Sequence, residues 1–151
     1  MGRIAQVPSS WLVALQFVLI GALLLTASPP RAAALLGTAV ALLAASAAIG
    51  ISALAANRPG NFNIRPELKL EAKLVTLGIY RWIRHPMYSA VLAAMLATVV
   101  TDPLPWRIVA WLALVGVLIA KAQREEGYLR QRFAQYEQYQ ATTWRLLPWV
   151  W

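Results

Sequence analysis

The feature that most constrains this chain is an uncharged apolar run from Ser10 to Ala27, SWLVALQFVLIGALLLTA. About 20 consecutive apolar residues in a helix cross the hydrocarbon core of a bilayer, and this run comes close to that length. A secretory signal peptide is the competing interpretation, because Arg3 precedes the run. The length of the run favours a helix that stays in the membrane.

Three further apolar runs extend this interpretation to the whole chain. Of the 151 residues, 60% are apolar and 13% are charged, whereas soluble domains carry about 25% charged residues. We therefore predict an all-α membrane protein with about four transmembrane helices, a cytoplasmic helical extension and a C-terminal tail. The predicted spans are 10–27, 32–56, 87–101 and 104–120, within a single domain of residues 1–151.

The second span is rich in alanine and contains four other small residues, Gly37, Ser46, Gly50 and Ser52. Small residues let helix backbones approach closely in lipid, where packing drives helix association. We therefore expect this helix to lie at the centre of the bundle. The polar stretch 57–73 that follows contains two prolines and a glycine, which predicts a loop.

No proline interrupts KAQREEGYLRQRFAQYEQY, residues 121–139, so we expect the fourth span to continue as a helix beyond the membrane. Four side chains would then share one helical face by their spacing; they are Glu125, Leu129, Phe133 and Tyr136. The final stretch, WRLLPWVW, predicts an anchor of tryptophans at the membrane interface.

Charge predicts the orientation in the membrane. Four spans place the N-terminus, residues 57–86 and the C-terminal tail on one side, and 12 of the 14 lysine and arginine residues fall there. The opposite side holds Arg31 and Arg107. Cytoplasmic loops are enriched in lysine and arginine, so we expect both termini in the cytoplasm. This topology accounts for most of the formal charge of +8 without nucleic acid as a partner.

Composition excludes several kinds of site. The chain has no cysteine, which excludes disulfides, thiolate metal sites and a cysteine nucleophile. One histidine and six acidic residues also argue against a metal centre. No acidic residue lies within a predicted span, which argues against a proton-coupled transporter, because such a protein needs a carboxylate inside the membrane.

Two polar motifs lie on the predicted cytoplasmic side. The first is YRWIRHPMYSA, residues 80–90, in which the one histidine of the chain, His85, lies among cations and aromatic rings. Such residues are common at a membrane interface, so a purely structural interpretation is open. The second motif is the pair Glu125 and Glu126, which either forms local ion pairs, for example with Lys121, or contributes to a site at the membrane surface.

The two motifs together resemble the isoprenylcysteine carboxyl methyltransferase family, which belongs with the phospholipid N-methyltransferases. The resemblance lies in LVTLGIYRWIRHPMYSA and, after a hydrophobic hairpin, in REEGYLRQRFAQYEQYQATTWRLLPW, and it covers roughly residues 70–149. It implies an integral membrane methyltransferase that uses S-adenosylmethionine, with the cofactor entering from the cytosol. The Gly-x-Gly-x-x-Gly motif of soluble dinucleotide-binding folds is absent from the chain.

The resemblance also implies roles for individual residues. The implied cofactor-binding residues are Lys73, Leu74, Val75, Tyr80, His85, Pro86, Met87, Tyr88, Glu125 and Glu126. The implied catalytic residues are His85, Arg84 and Tyr88. In the prenylcysteine enzymes an arginine about one turn before the acid is assigned to the substrate carboxylate. Lys121 stands at that place here, with Arg124 close by, so both are predicted to bind substrate.

Two positions depart from the family pattern. Ala90 replaces a glycine, and its methyl group is expected to narrow a close approach between helices or to the cofactor. Ile79 stands where bacterial relatives often have proline. Neither change removes a polar ligand, so we expect both to tune the site rather than to abolish it.

The implied function is methyl transfer to a lipophilic acceptor that reaches the site from the bilayer, by O-methylation of a carboxylate or N-methylation of an amine. An amine would need a proton acceptor, for which His85 is the near-neutral candidate. Two other classes stay open: a non-catalytic four-helix membrane protein that binds lipid or a partner, and an NADPH-dependent membrane reductase. We expect an integral protein of a bacterial inner membrane, surrounded by membrane lipids.

Overall fold

The computed structural model describes residues 9–29, 32–57 and 73–149, and the regular structure of these residues is helical. Five α-helices and a 3-10 helix follow one another there: α1 (Ser10–Leu25), α2 (Ala33–Ala56), the 3-10 helix (Gly78–Arg81), α3 (Pro86–Thr101), α4 (Pro105–Arg132) and α5 (Tyr136–Ala141). The first four α-helices begin close to the four predicted starts. Arg3, Arg31 and most of the predicted loop 57–73 lie outside the described residues.

Two of the described helices, α2 and α4, are long and apolar enough to cross a membrane by length and composition. The helices α1 and α3 are apolar but have 16 residues each, which at 1.5 Å per residue gives about 24 Å. With 28 residues, α4 is about 42 Å long by the same rise. This helix is therefore longer than a hydrocarbon core of about 30 Å.

The apolar core of the described chain lies where α1, α3 and α4 meet. Its buried side chains are Leu23, Met95, Val99, Leu114 and Leu118. Half-buried residues from the same three helices surround this cluster. The cluster therefore holds α1 and α3 side by side against the apolar half of α4.

Arg107, in the first turn of α4, joins the ends of α1 and α3. Its side chain is fully buried, and its guanidinium donates hydrogen bonds to the carbonyl oxygens of Leu23, Thr26 and Thr98. The last carbonyl groups of a helix lack partners within it and carry partial negative charge, so a cation there is stabilising. Arg107 therefore has a structural role at the end of the bundle opposite to Lys121.

The prediction that α2 is central is wrong, because α2 lies at the edge of the bundle with only Ala39 and Ala53 buried. The expected close approach does occur, but mainly on one partner, α3. Ser46 Oγ donates a hydrogen bond of 2.8 Å to Ala90 O, and a Cβ added at Gly50 would lie 3.8 Å from Ala90 Cβ. The methyl group of Ala90 thus meets the small residues of α2, and the other faces of α2 stay exposed.

The prediction of one continuous helix through residue 139 is also wrong, because α4 ends at Arg132 and α5 begins at Tyr136. Phe133 leaves the helical conformation, with φ −119° and ψ 109°. The turn lets α5 fold back on the chain: Tyr136 is fully buried, and Tyr139 Oη donates to Tyr80 O at 2.6 Å. Tertiary contacts override a local sequence that contains no helix breaker.

Gly78 opens the 3-10 helix in a conformation that other residues avoid. Its φ is +61°, in the left-handed region where a Cβ is strained. A Cβ at this position would also lie 2.9 Å from the Cβ of Ala56 at the end of α2. Both constraints make Gly78 the residue that allows the 3-10 helix to contact α2.

Replacement of Gly78 by alanine is expected to lower the free energy of unfolding by about 1–3 kcal/mol, the usual cost of a non-glycine residue in the left-handed region. Denaturant unfolding of the purified protein in detergent measures this loss. Gly116→Ala is the matched control, since Gly116 lies inside α4 with open space where its Cβ would be. Unchanged stability of Gly78→Ala would contradict the assigned role.

Candidate functional site

The segment Trp82–His85 links the 3-10 helix to α3 and is held by the C-terminal tail, residues 142–149. Three backbone hydrogen bonds join the two: Arg84 N to Trp144 O at 2.8 Å, His85 N to Arg145 O at 3.1 Å and Trp144 N to Trp82 O at 2.9 Å. Pro86 starts α3 directly after this segment, where its missing N–H costs no helical hydrogen bond. The tail therefore fixes the backbone that presents His85.

The side chain of His85 lies between the two glutamates of α4. Its Nδ1 is 3.5 Å from Glu125 Oε2, and its Nε2 is 3.3 Å from Glu126 Oε1. Its ring stacks on that of Tyr88, with centroids 5.3 Å apart and planes 3° apart. The two motifs that the sequence singled out thus meet in one cluster.

The contacts of His85 favour a doubly protonated ring. A neutral imidazole has one N–H, so it could donate to only one of the two carboxylates. Burial lowers the pKa of His85, but the hydrogen bonds to Glu125 and Glu126 outweigh burial and raise this pKa above its ordinary value of 6.5. As an imidazolium, His85 donates to both acids.

Glu126 is the buried acid of the pair, with a side chain that is 0% exposed. Arg84 Nε donates to its Oε1 at 2.9 Å. Arg145 donates to both oxygens, from Nε to Oε1 at 3.1 Å and from Nη2 to Oε2 at 2.8 Å, in the two-point geometry that binds a carboxylate most strongly. A buried charge needs such partners, and these hold α4, the segment before α3 and the tail together.

Arg84 connects Glu126 to the tail. Its Nη1 donates to Gln140 O at 3.1 Å, to the carbonyl oxygen of Thr143 and to Thr143 Oγ1 at 3.2 Å. The side chain is 7% exposed. These bonds direct Arg84 toward protein acceptors, and its predicted catalytic role stays a prediction.

Glu125 is the acid that a ligand can reach. Its side chain is 32% exposed, whereas that of Glu126 is fully buried. The Tyr88 hydroxyl donates to Glu125 Oε2 at 3.2 Å, and His85 approaches the same oxygen. These contacts leave Glu125 Oε1 as an acceptor for the hydroxyl or ammonium group of a ligand.

The two predicted substrate-binding cations, Lys121 and Arg124, face α1. Lys121 is 1% exposed, and its Nζ is 2.5 Å from Gln16 Oε1 and 5.4 Å from the centre of the Tyr88 ring. The guanidinium of Arg124 lies 6.0 Å from the ring centre of Trp11, close enough for a cation–π contact. Tyr88 therefore links the buried lysine to the acidic cluster.

The remaining predicted cofactor residues precede or follow His85 in the chain. Tyr80 is buried, and the Asn57 side chain forms a hydrogen bond with its hydroxyl. Met87 is half-buried in the first turn of α3. One exposed and two half-buried residues precede the 3-10 helix; they are Lys73, Leu74 and Val75. The contact of all these residues with a cofactor stays a prediction.

Sequence reasoning missed the residues that complete the cluster from outside the two motifs. They are Arg145 and Thr143 in the tail, Gln140 in α5 and Gln16 in α1. Arg145 lies in the stretch that we interpreted as an anchor of tryptophans. Its positive charge was the one feature of that residue that could have indicated an acidic partner. Gln16 is an isolated amide in an apolar span, and a polar residue in such a place commonly marks a functional contact.

A family model described as phospholipid methyltransferase matches residues 35–136 of the chain. The match contains both motifs and most of α2. It starts before residue 70 and ends before residue 149, the bounds of the resemblance described above. The helix α1 and the tail residue Arg145 lie outside the match. No curated protein sequence matches the chain significantly.

His85 is expected to titrate above pH 6.5 in the folded protein, because two carboxylates stabilise its charge. NMR of histidine-labelled protein reports this group alone, since the chain has one histidine. A raised pKa contributes stability that is full below the unfolded value of about 6.5 and is lost as the pH rises through the folded value. Glu125→Gln should lower the measured pKa, and a wild-type pKa below 6.5 would contradict the geometry.

Glu126→Gln is expected to cost about 3–5 kcal/mol of unfolding free energy, because it leaves Arg84 and Arg145 buried without a compensating charge. Glu125→Gln makes the same chemical change at a partly exposed side chain and is expected to cost about 1 kcal/mol. Denaturant unfolding in detergent compares the two variants. Equal losses would argue against the division into one buried and one accessible acid.

Proposed function

We propose a function from the fact that the chain belongs to the phospholipid methyltransferase family. The proposed function is transfer of a methyl group from S-adenosylmethionine to a lipid acceptor at the cytoplasmic face of a membrane. The observation that carries this proposal is the contact of His85 with both Glu125 and Glu126. It supports the pairing of the two motifs in a single site, as the resemblance implies.

The proposed topology has four membrane-spanning helices, of which α2 and α4 have the required length. The shorter helices α1 and α3 share the apolar core with α4, and Arg107 joins their ends to the start of α4. These contacts support a bundle in which α1 and α3 run in the same direction across the bilayer and both end beside the start of α4. The cationic bias of residues 57–86 and the tail supports cytoplasmic termini.

The side chains around Glu125 fit S-adenosylmethionine, which supplies an electrophilic methyl group on a sulfonium when it is bound. The accessible carboxylate can accept hydrogen bonds from ribose hydroxyls or pair with an ammonium group. The ring of Tyr80 can attract a cation, whereas the ring of Tyr88 already contacts His85 and Lys121 and offers its hydroxyl beside Glu125. The other residues that we propose for this site are Lys73, Leu74, Val75, Pro86 and Met87.

Methyl transfer depends on the alignment of donor and acceptor. With both ring nitrogens donating, His85 has no lone pair for an amine proton, so we assign it the role of holding Glu125. A carboxylate acceptor needs no base, and an amine acceptor would pass its proton to Glu125, the accessible carboxylate. Arg84 and Glu126 act through His85 as positioning residues.

The acceptor side of the site is proposed to include Lys121 and Arg124. Lys121 contacts the ring of Tyr88, and the hydroxyl of that tyrosine meets Glu125. Arg124 is half-buried, so its guanidinium can hold the phosphate of a phospholipid or the carboxylate of an acid in the two-point geometry of arginine. Lys121 is buried against Gln16, so we propose that it acts through Tyr88.

Calorimetric binding of S-adenosylmethionine to the protein in lipid nanodiscs tests the proposal. Glu125→Gln and His85→Ala are expected to weaken binding by about tenfold or more, which corresponds to about 1.4 kcal/mol, since one removes a ligand and the other its support. Glu137→Gln is the matched control, because Glu137 is exposed on α5. Well-folded wild-type protein that does not bind the cofactor would overturn the proposal.

A transfer experiment then identifies the acceptor group. The protein is incubated with membrane lipids and S-adenosylmethionine that carries a labelled methyl group. Label on a head-group amine indicates N-methylation, whereas label that mild alkali releases as methanol indicates O-methylation of a carboxylate. If protein that binds the cofactor labels no lipid, the lipid acceptor is wrong.

A further inference from the structure

A groove of about 620 Å³ lies between the end of α2 and the 3-10 helix. Its volume is within the range of about 300–1,000 Å³ that is typical of ligand sites. One wall is formed by Ser52, Ala55 and Ala56, and the other by Leu77, Gly78, Ile79 and Trp82. None of these residues belongs to the cluster around Glu125.

The groove exists because its wall on α2 carries small side chains. The serine and alanines of α2 leave space that larger residues would fill, and Gly78 lets the opposite wall approach Ala56 without a clash. Apart from Ser52, the residues that line the groove are apolar. A hydrocarbon chain would therefore gain from leaving water against these side chains.

The residues beside the groove are those of a membrane interface. Trp82 is half exposed and stacks on Trp144, with ring centroids 6.4 Å apart, and the Arg81 guanidinium lies 5.3 Å from the centre of the Trp82 ring. Tryptophan is enriched where head groups meet acyl chains, and arginine reaches toward this layer. Next to the groove on α2, Ile51 and Leu54 expose apolar side chains suited to lipid.

The 3-10 helix connects the groove to the candidate site. Gly78 and Ile79 line the groove, whereas Tyr80 is buried. Trp82 also lines the groove, and His85, three residues further along the chain, contacts Glu125. The 3-10 helix and the segment Trp82–His85 therefore lead from the groove to the acidic cluster.

We propose that this groove binds a hydrocarbon chain of the lipid acceptor while the head group of the same molecule lies at Glu125. The inference rests on the proposed function and extends it, because it assigns a subsite for the apolar part of the substrate. The chain enters from the bilayer beside the exposed apolar face of α2.

Photo-crosslinking with a phosphatidylethanolamine that carries a diazirine in the middle of one acyl chain tests the groove in nanodiscs, with peptide mass spectrometry as the readout. Label is expected to concentrate on residues 77–82. Ser52→Phe adds a ring at an exposed groove position and should reduce the label at Trp82 by about tenfold, because the filled volume excludes the chain. Leu54→Phe is the matched control, since Leu54 is exposed on α2 outside the groove.

Equal label at Trp82 in wild-type and Ser52→Phe protein would overturn the inference, and so would label spread evenly over the exposed faces of α1 and α2. Ala55→Leu repeats the test at a second exposed position of the groove. The result therefore does not depend on the folding of one variant.

The crosslinking requires neither cofactor nor turnover, so its failure differs from failure of the proposed function. If the protein binds S-adenosylmethionine but shows no preferred label in the groove, the groove is wrong and the function stands. If the groove is labelled but the cofactor does not bind, the result supports a lipid-binding site in the groove. The same result contradicts the methyltransferase assignment and the identity of the lipid as a methyl acceptor.

Discussion

The ion pairs of the buried carboxylate of Glu126 are the interactions on which the rest of the site depends. A charge removed from water is tolerated when its partners replace the lost hydration, and two arginines and a histidine do so here. These partners come from the segment before α3 and from the tail, so the same contacts fix the backbone around His85. Glu125, the adjacent residue of α4, gains a defined position without being buried itself.

The helices could be predicted from sequence because an uncharged apolar run of near-bilayer length has few structural alternatives. The features that depend on contacts with distant parts of the chain could not be predicted in this way. Small residues such as Gly50 permit a close approach, but they do not specify how many helices approach, and α2 meets mainly α3. The helix break after Arg132 follows from the burial of Tyr136, which depends on contacts with distant parts of the chain.

The candidate site was predictable where residue types are rare in their surroundings. His85 is the one histidine of the chain, and Glu125 and Glu126 are adjacent acids five residues past the end of an apolar run, so both motifs stood out. Arg145 did not, because an arginine among tryptophans fits an interfacial anchor equally well. Its contact with Glu126 requires the tail to pair with Trp82–His85, and an isolated pairing of so few residues leaves no periodic pattern in a sequence.

The backbone pairing of His85 with Arg145 has a consequence for biogenesis. At a synthesis rate of about 5–20 residues per second, Arg145 is made roughly 3–12 s after His85. The helices α3 and α4 are synthesised in that interval, and Glu126 lacks one of its arginines until Arg145 follows. Formation of the helices and completion of the cluster around Glu126 are therefore separate events, because the cluster closes only when the tail pairs with the segment Trp82–His85.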